Sequence, residues 1–148
     1  MNTNKKTAEL EDVKINVKIK LSALWAASMF CYLYADILAH MRSDILEELL
    51  AGEAGGVPIT PVTLLGSAIL MAIPIVMVFL SLTLKAKANR WVNIILGTVY
   101  SGVILMTLLF TEFWAYFLVL VTVEVVLTAL IVWHAWKWPK RERVEVTP

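Results

Sequence analysis

The sequence predicts an all-α membrane protein, a bundle of four transmembrane helices with a short amphipathic interfacial helix in the first extracytoplasmic loop. Three observations predict it. Hydrophobic residues make up 59% of the 148 and charged ones 17%, an apolar excess that a chain of this length has too little interior to hide. Four apolar runs are each long enough to cross a bilayer, which takes about 20 residues. The basic residues gather at one set of run ends. The length suits a single domain.

The runs span 21–39, 62–84, 91–111 and 115–136. Lipid offers the backbone no hydrogen bonds, so each run is expected to be a helix that pairs its own peptide groups. The runs do not alternate as the strands of a transmembrane β-barrel would. Ahead of the first run, segment 9–20 alternates apolar and polar residues from Val13 to Lys20. A lone strand there would have no partner, whereas Leu10, Val13, Val17, Leu21 and Leu24 fit a helical face. An interfacial helix running into the first span is therefore expected. A cleaved leader is not, because Glu9, Glu11 and Asp12 precede the run and no small-residue cleavage site follows it. Residues 1–8 and the end of the tail 137–148, beyond Pro139, are expected to be disordered.

The first loop, 40–61, is the long one. In 41–51 the residues Met41, Ile45, Leu46, Leu49 and Leu50 fall at helical spacing. Ser43 or Asp44 is expected to cap this short helix, and Gly52, Gly55, Gly56, Pro58 and Pro61 to end it. The second connection, KAKANR, reads as a basic turn, and 112–114 as a tight hairpin.

Lysine and arginine set the orientation. Five lysines precede the first span, Lys85, Lys87 and Arg90 fill the second connection, and Lys137, Lys140, Arg141 and Arg143 follow the last span. Arg42 stands alone on the other side, among Asp44, Glu47, Glu48 and Glu53. Both termini are expected in the cytoplasm and the bundle in the inner membrane. Trp91, Trp114, Trp133, Trp136 and Trp138 lie near run ends, as interfacial anchors do. The bilayer is thus the first partner. With a net charge of +1 there is no basic surface for nucleic acid.

Few residues in the spans carry chemistry. Glu124 lies roughly 14 Å along the fourth run, near the middle of a core about 30 Å thick. An ionisable group at that depth costs on the order of 3 kcal/mol, so it is expected to face protein or water and to be functional. The competing reading is a carboxyl that clamps helices together. Asp36 is late in the first span, and Ser28, Tyr32 and Asp36 recur every four residues as one polar stripe. Thr128 is one turn from Glu124. In the third span Asn93, Gly97, Tyr100 or Ser101, and Thr111 share a side; in the second, Ser67, Pro74 and Ser81 recur every seven residues. Pro74 leaves a backbone carbonyl without its partner. Counting depth puts Pro74, Tyr100 and Glu124 in one layer, with a Tyr100–Glu124 hydrogen bond expected. The ligand- or proton-binding candidates are therefore Glu124, Tyr100, Asp36, Tyr32, Thr128 and Pro74.

Small and hydroxylated residues also serve simply to pack membrane helices, and Gly97 with Ser101 fits that reading. His134, near the inner interface, reads as an interfacial residue. No cofactor motif or metal cluster is present: Cys31 is the only cysteine and reads as a small hydrophobe, and His40 and His134 are far apart. No nucleophile–base pattern is present, so no catalytic residue is assigned and the reading leans away from an enzyme.

The segments EDVKINVKIKLSALW, MAIPIVMVFLSL, NRWVNIILG and VEVVLTALIVWHAW together resemble a family of small bacterial four-span membrane proteins catalogued as a domain of unknown function. The resemblance runs from about Leu10 to Pro139. It implies the four-helix fold and a bacterial inner membrane, and no substrate. In architecture alone the chain also resembles the DoxX-like group of four-helix membrane proteins. Three functions stay open at this point: a bundle that binds or transports a small ligand or proton at a midplane carboxyl; an accessory or structural membrane protein acting through a partner; and a lipid- or quinone-directed membrane enzyme with Asp36 and Glu124 as acid and base. A homo-oligomer is open as well.

Overall fold

A computed structural model describes residues 13–110 and 114–139. The expectations for 1–8, 9–12, 111–113 and the tail beyond Pro139 lie outside these residues. The chain forms helix α1 (Val17–His40), a short helix α2 (Ser43–Leu50), a two-stranded hairpin of β1 (Glu53–Ala54) and β2 (Val57–Pro58), and helices α3 (Pro61–Thr83), α4 (Ala86–Phe110) and α5 (Ala115–Trp136). Helices α1, α3, α4 and α5 are each long and apolar enough to cross a membrane.

Local chemistry sets the helix ends. Asn16 caps α1 by accepting a hydrogen bond from the Lys18 amide at 2.9 Å. That cap places the helix start at Val17, so Val13–Asn16 are not helical and the expected interfacial helix is shorter by those residues. Thr60 and Thr63 form a reciprocal capping box, and Pro61 sits in the first turn of α3, where its missing N–H costs nothing. Pro61 therefore opens the second span instead of breaking the loop. The basic turn is also shorter than expected. Alanine and lysine favour helix, and α4 begins at Ala86, leaving Leu84 and Lys85 as the link.

The first loop folds back on itself. Neither Ser43 nor Asp44 caps α2; the N-cap is Arg42, without a side-chain cap bond, because Asp44 pairs with the Arg42 guanidinium. The hairpin turns through Gly55 and Gly56 at φ +58° and +74°, a left-handed pair that only glycine adopts freely. Gly55 N–H donates to the Glu48 carboxylate at 3.0 Å, tying the hairpin to α2. The Arg42 guanidinium also lies 4.4 Å over the Trp114 ring, which fastens this cap to the start of α5.

The four long helices pack in the order α3, α1, α5, α4, with each neighbouring pair in close contact. Helices α3 and α4 barely touch along their lengths, so the bundle is closed on three sides and parted on the fourth. The parting is an apolar cleft of about 350 Å³ lined by residues such as Ile73, Val76, Met77 and Leu96. Polarity runs inside-out. Val62, Leu65, Ile69, Ile75 and Phe79 are exposed along α3, while Ser28, Ser81, Asn89, Asn93, Glu124 and Thr128 are buried. That distribution suits lipid outside and hydrogen bonds within.

Gly97 belongs to the α4–α5 seam within one chain. A Cβ built on it would lie 2.9 Å from Val132 Cγ2 and 3.3 Å from Ile131 Cγ2, whereas one on Gly102 would meet nothing. Gly97→Ala is therefore expected to destabilise the bundle by about 1–3 kcal/mol through overpacking, and Gly102→Ala to be tolerated, as read by thermal unfolding in detergent. The Asp44 carboxyl is held below the usual carboxylate range by its bond to the Arg42 guanidinium. The clamp is fully present above the unfolded-state pKa and is lost as pH falls through the depressed folded value. Protection of the loop amides, measured as hydrogen exchange relative to the intrinsic rate at each pH, is expected to fall on acidification, and Asp44→Asn to show the low protection already at neutral pH.

Candidate functional site

Glu124 is the tenth of the 22 residues of α5, and only 4% of it is exposed. The side chain points to the α1 seam. Across that seam Tyr32, Cys31 and Asp36 are the titratable groups within electrostatic reach. The Tyr32 hydroxyl lies close to the carboxyl yet completes no hydrogen bond with it. Glu124 Oε1, Tyr32 Oη and Ser28 Oγ are all buried atoms with no partner. Ser28 is one turn below Tyr32 on α1, and Thr128 one turn from Glu124 on α5. Tyr32 and Glu124 meet across the seam, and on each helix the next buried polar residue, Ser28 or Thr128, is one turn or about 6 Å away. Thr128 Oγ1 spends its proton on its own helix, donating to the Glu124 carbonyl at 3.0 Å.

Among the described residues no basic side chain neutralises the carboxyl. Among the described residues the one salt bridge is Arg42–Asp44, far out at the loop. The site is thus a carboxyl group and hydroxyl oxygens inside a membrane span, without a fixed counter-charge. Asp36, one turn above Tyr32, is exposed, and its carbonyl is 2.5 Å from His40 Nδ1 at the end of α1. Among the described residues no three His, Cys, Asp or Glu side chains cluster as metal ligands.

Tyr100 and Pro74 form a second cluster beside this one. Tyr100 Oη donates to the Leu70 carbonyl at 2.5 Å. Leu70 is four residues before Pro74, so its carbonyl is the one the proline leaves without an amide partner. The expected Tyr100–Glu124 bond is therefore absent: the tyrosine proton is taken by the acceptor that Pro74 exposes. Tyr32 stands between the clusters, its ring 6.3 Å from Tyr100. A small cavity of about 40 Å³ lies among Tyr32, Leu70, Pro74, Tyr100 and Val103. The Pro74 gap is tied to Tyr100 by a hydrogen bond, Tyr100 to Tyr32 by a ring contact, and Tyr32 lies beside Glu124, so no continuous hydrogen-bond chain joins the two clusters.

The basic end of the bundle holds a satisfied network that sequence reasoning only half found. Asn93 Oδ1 accepts from Trp25 Nε1 at 2.7 Å and from Ser81 Oγ at 3.4 Å, and its Nδ2 donates to the Asn89 Oδ1 and carbonyl at 2.6 and 2.9 Å. Asn89 Nδ2 donates to the Ser81 carbonyl at 2.5 Å. Ser22 Oγ donates to the Val78 carbonyl at 2.8 Å, and Lys18 Nζ to those of Leu82 and Leu84 at the end of α3. Asn89 carries no signal in the sequence, because KAKANR reads as a turn whereas α4 begins at Ala86. Trp25 carried a signal: an indole well inside a span needs an acceptor for its N–H. Ser67, by contrast, is exposed and bonds to Thr63, so the seven-residue stripe of the second span does not converge on one site.

The pairing of Tyr100 with the Pro74 gap can be measured. Tyr100→Phe leaves the Leu70 carbonyl unpaired and is expected to cost about 1–3 kcal/mol. In a Pro74→Ala background the restored amide takes that carbonyl, and the cost should shrink to near zero. A double-mutant cycle by unfolding in detergent gives the coupling.

Comparison with curated proteins and with solved structures returns no match. The family model described as a family of unknown function (DUF6326) matches residues 9–145. That match covers nearly the whole chain, and the protein belongs to this family.

Proposed function

We propose that this multi-pass membrane protein binds, and exchanges across its bundle, a proton or small polar ligand at Glu124. The observation that carries the proposal is a carboxyl oxygen buried within a span that, among the described residues, completes no hydrogen bond and has no cation to balance it, with only the Tyr32 hydroxyl close by. A carboxyl kept only to join helices would be expected to have its bonds made, as the Asn93 network does. Ionisable groups at this depth are costly and mark ligand or proton paths. Tyr32 and Thr128 line the site, Asp36 stands toward its outer end, and Tyr100 and Pro74 support Tyr32 from behind. The lysines at the ends of α1, α3 and α5 support an inner-membrane orientation with both termini cytoplasmic.

The accessory reading draws on a different feature. Helix α2 buries none of its residues and exposes Leu46 and Leu50 beside four acidic side chains, a surface suited to a partner or to the membrane interface. The two readings separate on one substitution.

Glu124→Gln keeps the size and hydrogen-bonding capacity of the side chain and removes its charge. Thermal unfolding in detergent is followed across pH for both proteins. The groups facing Glu124 are Cys31, Tyr32 and Asp36 on α1, with Tyr100 of α4 behind Tyr32. Beyond the acid-labile contribution of the Asp44 clamp, which both proteins share, the native protein is expected to show a pH-dependent stability that the variant lacks, with the variant as stable or more stable at the native protein's best pH. A variant less stable at every pH would make Glu124 a structural clamp and shift the assignment to the accessory reading.

A further inference from the structure

We propose that the Glu124 site takes a small monovalent cation, and that the cation is loaded from the acidic end of the bundle through Asp36. The inference rests on the Glu124 reading and adds the class of ligand and the side of access.

The donor set carries the first half. Glu124 Oε1, Tyr32 Oη and Ser28 Oγ are unpartnered, and Ser28 is fully buried. All are oxygens, which suit hard cations and not the soft or borderline metals that take sulfur and imidazole. A proton on Glu124 would let the carboxyl pair with the nearby Tyr32 hydroxyl, but it would leave Ser28 Oγ without a partner. One carboxylate balances one positive charge; a divalent ion would leave a net charge in an apolar span, at high cost. The hydroxyls supply neutral ligands at the two levels of the seam. Such a site needs no cluster of acidic or imidazole side chains.

The asymmetry of the bundle carries the second half. Ser28, Tyr32 and Asp36 rise along one face of α1, from fully buried to half-buried to exposed. Asp36 is within electrostatic reach of Glu124. Beyond it lie Asp44, Glu47, Glu48 and Glu53, all exposed, with Arg42 engaged by Asp44. A negative surface at the mouth concentrates cations. The other direction is shut. Leu21, Trp25, Ile131 and Ala135 are fully buried, and Trp25 is locked to Asn93, itself bonded to Asn89. Past that plug the surface carries Lys18, Lys20, Lys85, Lys87 and Lys137, which repel cations.

The test uses the full chain in a neutral detergent at mildly alkaline pH. Sodium, lithium and potassium chloride are each titrated against N-methyl-D-glucamine chloride at matched ionic strength. Thermal unfolding and tryptophan fluorescence are followed. The expected result is a saturable rise in Tm with at least one alkali ion, on the order of 5 °C at saturation. It is absent in Glu124→Gln, and in Ser28→Ala it is shifted to roughly fivefold higher concentration. In stopped-flow mixing, Asp36→Asn is expected to slow association by roughly tenfold. No alkali-specific shift in the native protein overturns the proposal, and so does a shift that survives in Glu124→Gln. An unchanged association rate in Asp36→Asn overturns the loading route. If no alkali ion acts but Glu124→Gln still abolishes the pH dependence, the site binds a proton and the Glu124 reading stands. If both effects are missing, both readings fall.

Discussion

In a bilayer every hydrogen bond must be found within the protein, and the layout of this molecule follows from that constraint. The four long helices satisfy their own backbones. Wherever the sequence interrupts that pattern, a side chain from another helix arrives. Pro74 removes one amide from α3, and the Tyr100 hydroxyl takes the carbonyl left behind. The last carbonyls of α3 would end in lipid or headgroups, and Lys18 reaches from α1 to cover two of them. Trp25 brings an indole N–H into the bundle, and Asn93 accepts it. These bonds join α4 to α3, α1 to α3 and α1 to α4, helix pairs that differ widely in how closely their backbones pack. The polar interior holds the fold together where apolar burial offers little, since lipid solvates the outer faces as well as protein does.

Against that rule the Glu124 seam is the main exception; Arg90 Nε, at the basic end, is also buried without a hydrogen-bond partner, its guanidinium 5.9 Å over the Trp136 ring. At the basic end each buried amide and hydroxyl is matched, and the network spans three helices. About two turns away, three buried oxygens on α1 and α5 have no match. The same chain solves the problem at one level and leaves it open at the next. Departures from internal consistency of this kind are expected at functional sites, where a ligand completes what the fold does not. The neighbouring features fit a site that exchanges its occupant. The seam grades toward an exposed carboxylate on one side and ends in a packed aromatic plug on the other.

Several particulars show where sequence reasoning reaches and where it stops. Glu124 was legible because depth along a span follows from counting residues, and a carboxyl at that depth has few cheap explanations. The Ser28–Tyr32–Asp36 stripe was legible from helical spacing alone. The partner of Tyr100 was not: Tyr100, Glu124 and Pro74 share a layer, but which acceptor takes the hydroxyl depends on how the helices are ordered around the bundle. Pro74 was known to free a carbonyl, and the loss of an amide is local; the identity of the group that answers it is not. Asn89 was hidden by a boundary, since a basic stretch of good helix formers extends α4 backward past the expected turn. In the first loop the glycines read as breakers, and their left-handed pair instead closes a hairpin on α2.

The sequence by itself determined that the chain has four apolar helices, that its charges are segregated to opposite ends, and that one carboxyl is buried at mid-depth. Those properties depend on composition and on periodicities of a few residues, which each segment expresses alone. The tertiary structure decided the helix order, the open cleft between α3 and α4, and the division of the interior into a satisfied polar network and an unsatisfied one. Those properties depend on which faces meet. In a bundle whose exterior is already solvated by lipid, helix order is chosen by the pairing of a few polar groups distant in sequence. No local pattern specifies that choice.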